Sequence, residues 1–368
     1  MKLAFVVNDI HFLMSHRKAL VLESLQQGWE IFIISDASQV PELPKNIHCV
    51  QLPIDRSSLG LWSNIRSLIR LCSLYRKIKP DVLHHITLKP IVFGTLAARL
   101  FASKAKVINA VSGLGYLFTG NQSYLGSVLL KLLRWVQTQK VYYIFQNRVD
   151  RDLFQKANIG QQYLLIKGSG VDHKVFLPKG QPKKRPIQIL FTGRILKDKG
   201  LIELIHATNG LLQKGFDVEL KILGKLDPKN PAHLSKEALE NYLIPNKITW
   251  GGFSSEIKQA LENCHIYCLP SYREGLPKAI VEAMAIGRPI VTTNAPGCDD
   301  CVVEAKNGFK VPIKDSVLLQ EKLTRLVEDE SLREKMGQES RKYFEKEFTL
   351  EQVVQQHMQL YSNLRIFE

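Results

Sequence analysis

No stretch of this chain approaches the ~20 consecutive apolar residues that a membrane-spanning helix needs. Nor does the start of the sequence read as a secretory leader. Met1 to Leu13 carries one lysine and a short apolar run that Asp9 and His11 interrupt, with no small-residue cleavage site. Leu3 to Val7 therefore reads as a first strand, and the chain is expected to stay in the cytoplasm, meeting a membrane only from that side. Cysteine is scarce, six in 368 residues, which excludes a disulfide scaffold and fits a reducing compartment. Cys298-Asp-Asp-Cys301 invites a metal or redox reading, with Cys264 and Cys268 as further ligands. No second Cys-x-x-Cys and no spaced histidine pair accompanies it, and Cys268 lies in an apolar run. No metal is expected, and the thiols read as structural or incidental.

Acid is what the first half lacks most. Up to residue 185 there are 26 Lys and Arg against 10 Asp and Glu, while the remainder holds 24 against 25. The net charge of +15 thus sits wholly in the first half, which suggests an anionic partner there: a phospholipid surface, a lipid diphosphate or nucleic acid. Elsewhere the composition is that of an ordinary globular chain, 45% hydrophobic and 23% charged, against disorder or a fibre.

What is present is a rhythm, twice over. Leu3 to Val7, Glu30 to Ser35, Asp81 to Ile86, Lys106 to Val111 and Val141 to Phe145 read as strands, separated by helical stretches such as Ser15 to Gln27 and Leu61 to Ile78. The pattern restarts at Ile187 to Thr192 and continues through Val218 to Leu223, His265 to Leu269 and Pro289 to Thr292. Strands alternating with helices imply parallel sheets, so two doubly wound α/β domains are expected. The proline- and lysine-rich segment 178–186 has linker composition. Leu350 to Leu364 is a further helix whose destination the pattern does not give. Ligands of such sheets bind beyond the carboxyl ends of the strands. The charged face of Leu61 to Ile78, with Arg66, Arg70 and Lys77, is either solvated or faces a membrane or phosphate. Leu125 to Val136, with Lys131 and Arg134, is either a core helix or one lying in a lipid interface.

The segment His265 to Glu282 reads as strand, turn, helix. Glu274-Gly275 forms the turn, Pro277 suits a first helical turn, and the helix stops at Gly287. Backbone N–H groups of Gly275 and Leu276 are expected to face a bound anion. Glu274 and Glu282, with Ser271 just upstream, are placed to accept hydrogen bonds from sugar hydroxyls. After the strand Ile187 to Thr192 come Gly193, Arg194 and Lys199. A planar fork and a point charge there suit a diphosphate. Asp150-Arg-Asp152 has the form of a metal-binding DxD but falls in a helical stretch and is set aside.

With these residues in view, the sequence resembles family 4 of the glycosyltransferases, retaining enzymes of the GT-B fold, over essentially its whole length. The pieces are Gly193-Arg194 to Lys199-Gly200, Gly168-Ser-Gly-Val-Asp172, Leu269-Pro-Ser271 with Glu274 to Glu282, and Ala283-Met-Ala285 before Gly287. Ser15-His16-Arg17, His84-His-Ile-Thr-Leu-Lys89-Pro90 and Asn109-Ala-Val-Ser112-Gly-Leu-Gly115 are most similar to bacterial enzymes building capsule, O-antigen or undecaprenyl-diphosphate-linked glycans. The resemblance implies two Rossmann-like doubly wound domains facing across a cleft. These would be an acceptor-binding domain at 1–177, a linker at 178–186, a donor-nucleotide domain at 187–346, and a terminal helix at 347–368 crossing back to the first domain. It implies Arg194 and Lys199 on the donor diphosphate, Glu274 on the sugar and Glu282 on the ribose, with Gly193, Ser271, Gly275, Leu276 and Pro277 around them. Its implied partners are a nucleotide sugar, a lipid-diphosphate-linked acceptor and the inner membrane surface, without nucleic acid; no metal or cofactor is implied. Two departures stand out. Asn8-Asp9-Ile10-His11 replaces a Gly-Gly loop, and Ser112 stands where many relatives carry histidine, leaving His16, Arg17, His85 and Lys89 as acceptor-side candidates. A catalytically silent paralogue and a sugar-nucleotide epimerase are the alternative readings.

Overall fold

The computed structural model describes residues 1–36, 43–52, 61–114, 124–137 and 141–366. The chain divides into two α/β units, Met1–Ser169 with Glu351–Glu368, and Gly170–Leu350.

In the first unit the strands are β1 (Lys2–Asp9), β2 (Glu30–Asp36), β3 (Ile47–Gln51), β4 (Val82–Ile86), β5 (Lys106–Val111), β6 (Val141–Phe145) and β7 (Gln162–Leu165). They form one parallel sheet in the order β3-β2-β1-β4-β5-β6-β7. Helices α1 (Ile10–Gln26), α2 (Leu61–Ile78), α3 (Leu88–Phe101), α4 (Tyr124–Val136) and α5 (Arg148–Lys156) link them. Strand alternation sorts the core into two layers. Ala4 and Val6 face one cluster with Leu71, Tyr75, Ile91, Ala98, Leu133 and Phe154, from α2 to α5. Leu3, Phe5 and Val7 face the other, with Leu13, Leu20 and Val21 of α1.

The second unit holds β8 (Ile187–Thr192), α6 (Leu201–Gln213), β9 (Val218–Leu223), α7 (Lys236–Glu240), β10 (Ile248–Trp250), α8 (Ile257–Asn263) and β11 (Ile266–Leu269). It continues with α9 (Lys278–Ile286), β12 (Ile290–Thr293), β13 (Gly308–Val311), α10 (Ser316–Glu328) and α11 (Glu330–Glu347). Its sheet, order β10-β9-β8-β11-β12-β13, is again parallel. Each sheet reverses its winding once, at β1/β4 and at β8/β11, and such switch points are where open α/β sheets bind ligands.

The last helix, α12 (Leu350–Ile366), belongs from Glu351 onward to the first unit. Val353, Leu360, Tyr361 and Leu364 are buried in the α1 layer, and each such side chain contributes about 1.5–3 kcal/mol on burial.

Three expectations change. First, segment 178–186 is not a free linker: it lies inside the second unit. The buried guanidinium of Arg288 donates to the carbonyls of Lys179 (3.2 Å) and Gly180 (3.1 Å), and Lys179 N donates to Ile286 O at 2.9 Å. Second, no loop separates the first strand from the first helix. Asp9 ends β1 and caps α1 at once, its carboxylate accepting from His11 N at 2.8 Å. The helix therefore starts at Ile10 rather than Ser15, because a capping carboxylate satisfies a first-turn N–H group directly. Third, α9 begins at Lys278 with Pro277 as its N-cap residue, so Gly275 and Leu276 lie ahead of the helix and not within its first turn.

Candidate active site

At the switch point of the second unit β8 lies beside β11, Ile189 opposite Ile266 and Leu190 opposite Tyr267. The segments leaving their carboxyl ends therefore emerge side by side. After β8 the chain passes Gly193 and Arg194 and turns through Lys197–Lys199 before Gly200 opens α6. After β11 it runs from Pro270 to Pro277 before α9. Gly200 has φ 68°, and a Cβ there would sit 2.1 Å from Pro270 O, so only glycine lets the two segments approach this closely. Tyr272 N donates to Asp198 O at 2.8 Å, and the Tyr272 hydroxyl donates to Glu203 Oε1 at 2.6 Å.

These contacts bring Lys199 and Glu274 together. The ammonium of Lys199 donates to Glu274 Oε1, and both side chains are about five-sixths buried, 16% and 15% exposed. Ser271, itself buried, donates its hydroxyl to the same oxygen at 2.8 Å. From the other side the turn after β12 supports Glu274, whose N–H donates to Pro296 O at 3.0 Å. Gly297, φ 80°, passes so close that a Cβ would stand 2.6 Å from the carbonyl oxygens of both Glu274 and Gly275. Arg194 pairs with Asp227, Nη1 to Oδ2 2.7 Å. Burial pushes the Asp198 carboxyl up, Lys199 and Arg194 lower it and Glu274 raises it, so four charged groups share one neighbourhood.

The structure therefore joins Arg194, Lys199, Ser271 and Glu274. Glu282 lies on α9, its carboxylate 3.7 Å from Lys278 Nζ. Burial raises its carboxyl, against the pull of Lys278. Asp227, Tyr272, Glu203 and Gly297 were not legible as site residues. Each acts through a partner distant in sequence, and no local spacing marks them. Cys298 and Cys301 are buried. Burial, with Glu274 nearby, pushes the Cys298 thiol up to about 12, so it stays neutral at physiological pH. Asp150 and Asp152 turn to different partners, Asn147 and Arg151.

In the first unit the acceptor-side candidates occupy separate settings. His16 is half-buried on α1, stacked on Phe12 at 4.3 Å with Nδ1 2.7 Å from Ser15 Oγ. Ser112 follows the carboxyl end of β5, half-buried, and Lys89 is half-buried in the first turn of α3. Gly115, the end of the Asn109 motif, lies outside the described residues. Two candidates are corrected. His85 is fully enclosed, Nδ1 2.9 Å from Asn109 Oδ1 and Nε2 2.9 Å from the Tyr75 hydroxyl. Burial holds it down to about 4, and both ring nitrogens are spent on the core. Arg17 is also interior, its Nη1 donating to Gly168 O at 3.0 Å. One unexpected feature marks the switch point: Thr87, directly after β4, has φ 75°, a costly conformation for a β-branched residue.

Two parallel-sheet Rossmann-like units are the architecture of the GT-B fold of glycosyltransferases. Family comparison agrees along the chain: the "Glycosyl transferases group 1" model matches residues 173–343 and the "Glycosyl transferase 4-like" model residues 2–147. The chain belongs to these family-4-like glycosyltransferases. It is 26% identical over 348 residues to the capsular polysaccharide biosynthesis glycosyltransferase CapM of Staphylococcus aureus, covering 88% of this chain and 87% of CapM. It is 27% identical over 323 residues to the N,N'-diacetylbacillosaminyl-diphospho-undecaprenol alpha-1,3-N-acetylgalactosaminyltransferase of Campylobacter jejuni, 83% of each chain. Among solved structures, sucrose-phosphate synthase from Thermosynechococcus elongatus superposes with TM-score 0.84 at 17% identity over the full length of both chains. Anabaena Alr3699/HepE in complex with UDP superposes with TM-score 0.77 at 17% identity, covering 99% of this chain and 100% of that one. At those identities the likeness speaks to fold alone.

Proposed function

We propose that the enzyme moves a hexose or N-acetylhexosamine, GalNAc for example, from a nucleoside diphosphate sugar to a lipid-linked or surface-polysaccharide glycan, with retention at the anomeric carbon. UDP is the proposed donor base, and the inner face of the cytoplasmic membrane the proposed place of work. The observation that carries this reading is the Lys199–Glu274–Ser271 cluster beside Arg194. In the transfer the C1–O bond to the diphosphate breaks, the acceptor oxygen bonds to C1 and its proton is released. Negative charge grows on the departing diphosphate. Two preorganised cations in a partly buried site oppose that charge most strongly where it develops. Lys199 would divide itself between Glu274 and the phosphate, and Arg194 between Asp227 and the phosphate. Glu274 would hold sugar hydroxyls, and Glu282 the ribose. With two cations in this role a metal ion is not required. The names of CapM and the Campylobacter enzyme support the acceptor class, and UDP as donor base follows the family resemblance.

The test is turnover with a panel of UDP- and GDP-sugars in the presence of EDTA, using extracted undecaprenyl-linked intermediates as acceptors and mass as readout. Turnover persists in EDTA, and the product keeps the donor's anomeric configuration by NMR. Glu274→Ala lowers kcat by a hundredfold or so, the scale of losing a key electrostatic group. Undiminished activity in that variant sinks the site assignment. Product formed without any acceptor signals an epimerase, and donor binding without turnover a silent paralogue.

A further inference from the structure

We propose that the outer face of α2, α3 and α4 in the first unit is a docking surface for an anionic phospholipid bilayer. The inference rests on the membrane-side reading above and names the residues that would make the contact.

These helices carry more apolar surface than the core uses. An amphipathic helix of an ordinary globular unit needs one apolar stripe. On α2 that stripe is Leu71, Leu74, Tyr75 and Ile78, all buried. A second stripe points outward: Trp62 is 83% exposed and Ile69 64%, with Ile65 between them, at i, i+3 and i+7 spacing. On α4, Val128, Leu132 and Trp135 are exposed at i, i+4 and i+7, Trp135 at 62%. Leu100 and Phe101 at the end of α3 are exposed as well. The ends of α3 and α4 form one patch, since Arg99 lies over the Trp135 ring at 5.8 Å and donates to Trp135 O at 2.9 Å. Helix α3 packs on both α2 and α4. Single exposed aliphatics need no explanation; two tryptophan-bearing stripes on the helices that pack on either side of α3 do.

Charge selects the occupant. The three helices contain eight Lys and Arg and no Asp or Glu, and between Arg56 and Arg148 Asp81 is the only carboxylate. Arg66 and Arg70 follow Ile65 and Ile69 directly, while Lys131 and Arg134 adjoin Leu132 and Trp135; all four cations are exposed. Tryptophan prefers the headgroup level of a bilayer, and long cationic side chains lay their stems on apolar surface while their heads meet phosphates. Each such cation near an anionic leaflet is worth about 1 kcal/mol, and apolar insertion adds to it. A two-fold pairing of this face with a second copy would set like charges against each other, and nucleic acid has no use for Ile69, Val128 or Leu132. Among the described residues no helix is long and apolar enough to cross a membrane, so the contact is one of lying on the surface.

The experiment uses the full chain with phosphatidylglycerol-containing and pure phosphatidylcholine vesicles, followed by co-sedimentation and tryptophan emission. Binding is expected only to the anionic vesicles and weakens with salt. Emission is quenched by brominated lipid, and the quenching disappears in W62F/W135F. Arg66→Glu with Arg70→Glu, and separately Trp62→Ser with Ile69→Ser, lower vesicle affinity by about tenfold or more. Thermal midpoint and donor binding by calorimetry stay unchanged. Equal binding to neutral vesicles, unaltered binding by both variants, or a light-scattering dimer that these variants dissociate would each overturn the proposal. If the surface fails while transfer to a lipid-linked acceptor persists, only the docking face is lost. If vesicles bind and no nucleotide sugar is turned over, the transfer reading is what falls.

Discussion

Lys199 and Glu274 are seventy-five positions apart, and what makes them partners is two glycines. Gly200 lets the β8 exit meet Pro270, and Gly297 lets the β12 exit lie under Glu274. Both sit at positive φ with backbone oxygens where a Cβ would go. Gly297→Ala is therefore expected to destabilise the second unit by about 1–3 kcal/mol, the scale of one strained backbone position. It should also lower kcat/KM more than tenfold through displacement of Glu274. Urea denaturation and donor-saturated kinetics check the two parts separately. An alanine variant with native kinetics would mean that this support does not position the carboxylate. At the same scale Arg17 and His85 show the reverse lesson. As residue types they suit chemistry, but their surroundings commit them to the core.

At the scale of elements, the strands that pattern alone does not reveal are β3, β7, β10 and β13, and these are the four sheet edges. Central strands are covered on both faces and paired on both sides, so they read as unbroken apolar runs. An edge strand is half solvated, as in the exposed or half-buried residues of β7, and its sequence dilutes into loop composition. Helix α12 was visible as a helix while its place was not, because its partners Ser24, Trp29 and His84 are distant in sequence. Its Tyr361 hydroxyl lies 2.5 Å from His84 Nδ1. Tyr361→Phe leaves that buried nitrogen unpaired and is expected to cost about 1–3 kcal/mol, read as a lower urea midpoint. An unchanged midpoint would show that the pair contributes nothing net.

For the whole molecule, buried neutral histidines set the response to acid. Burial holds His85 and His265 to about 4 and His357 to about 3, so each unit contains one or more. The unfolded chain protonates them near 6.5. Between about 6.5 and about 4 the unfolded state therefore binds more protons, and stability falls as pH drops through that window. At 1.36 kcal/mol per unit, His85 contributes up to about 3 kcal/mol and His357 up to about 5. Denaturation at pH 7.5 and pH 5 should show a clear loss at the lower value; equal midpoints would mean that these rings are protonated in the folded protein.

The alternation of strand and helix, the two-unit division and the residues Arg194, Lys199, Ser271 and Glu274 were determined by the sequence itself. Periodicity is a local property, and short motifs keep their residues within one turn or loop. Only the tertiary structure decided which of them meet. It set Glu274 against Lys199 and Arg194 against Asp227, placed α12 on the first unit, and turned the 178–186 segment into a strap held by Arg288. Those outcomes depend on which apolar faces find each other across long sequence separations, and no window of sequence contains both partners.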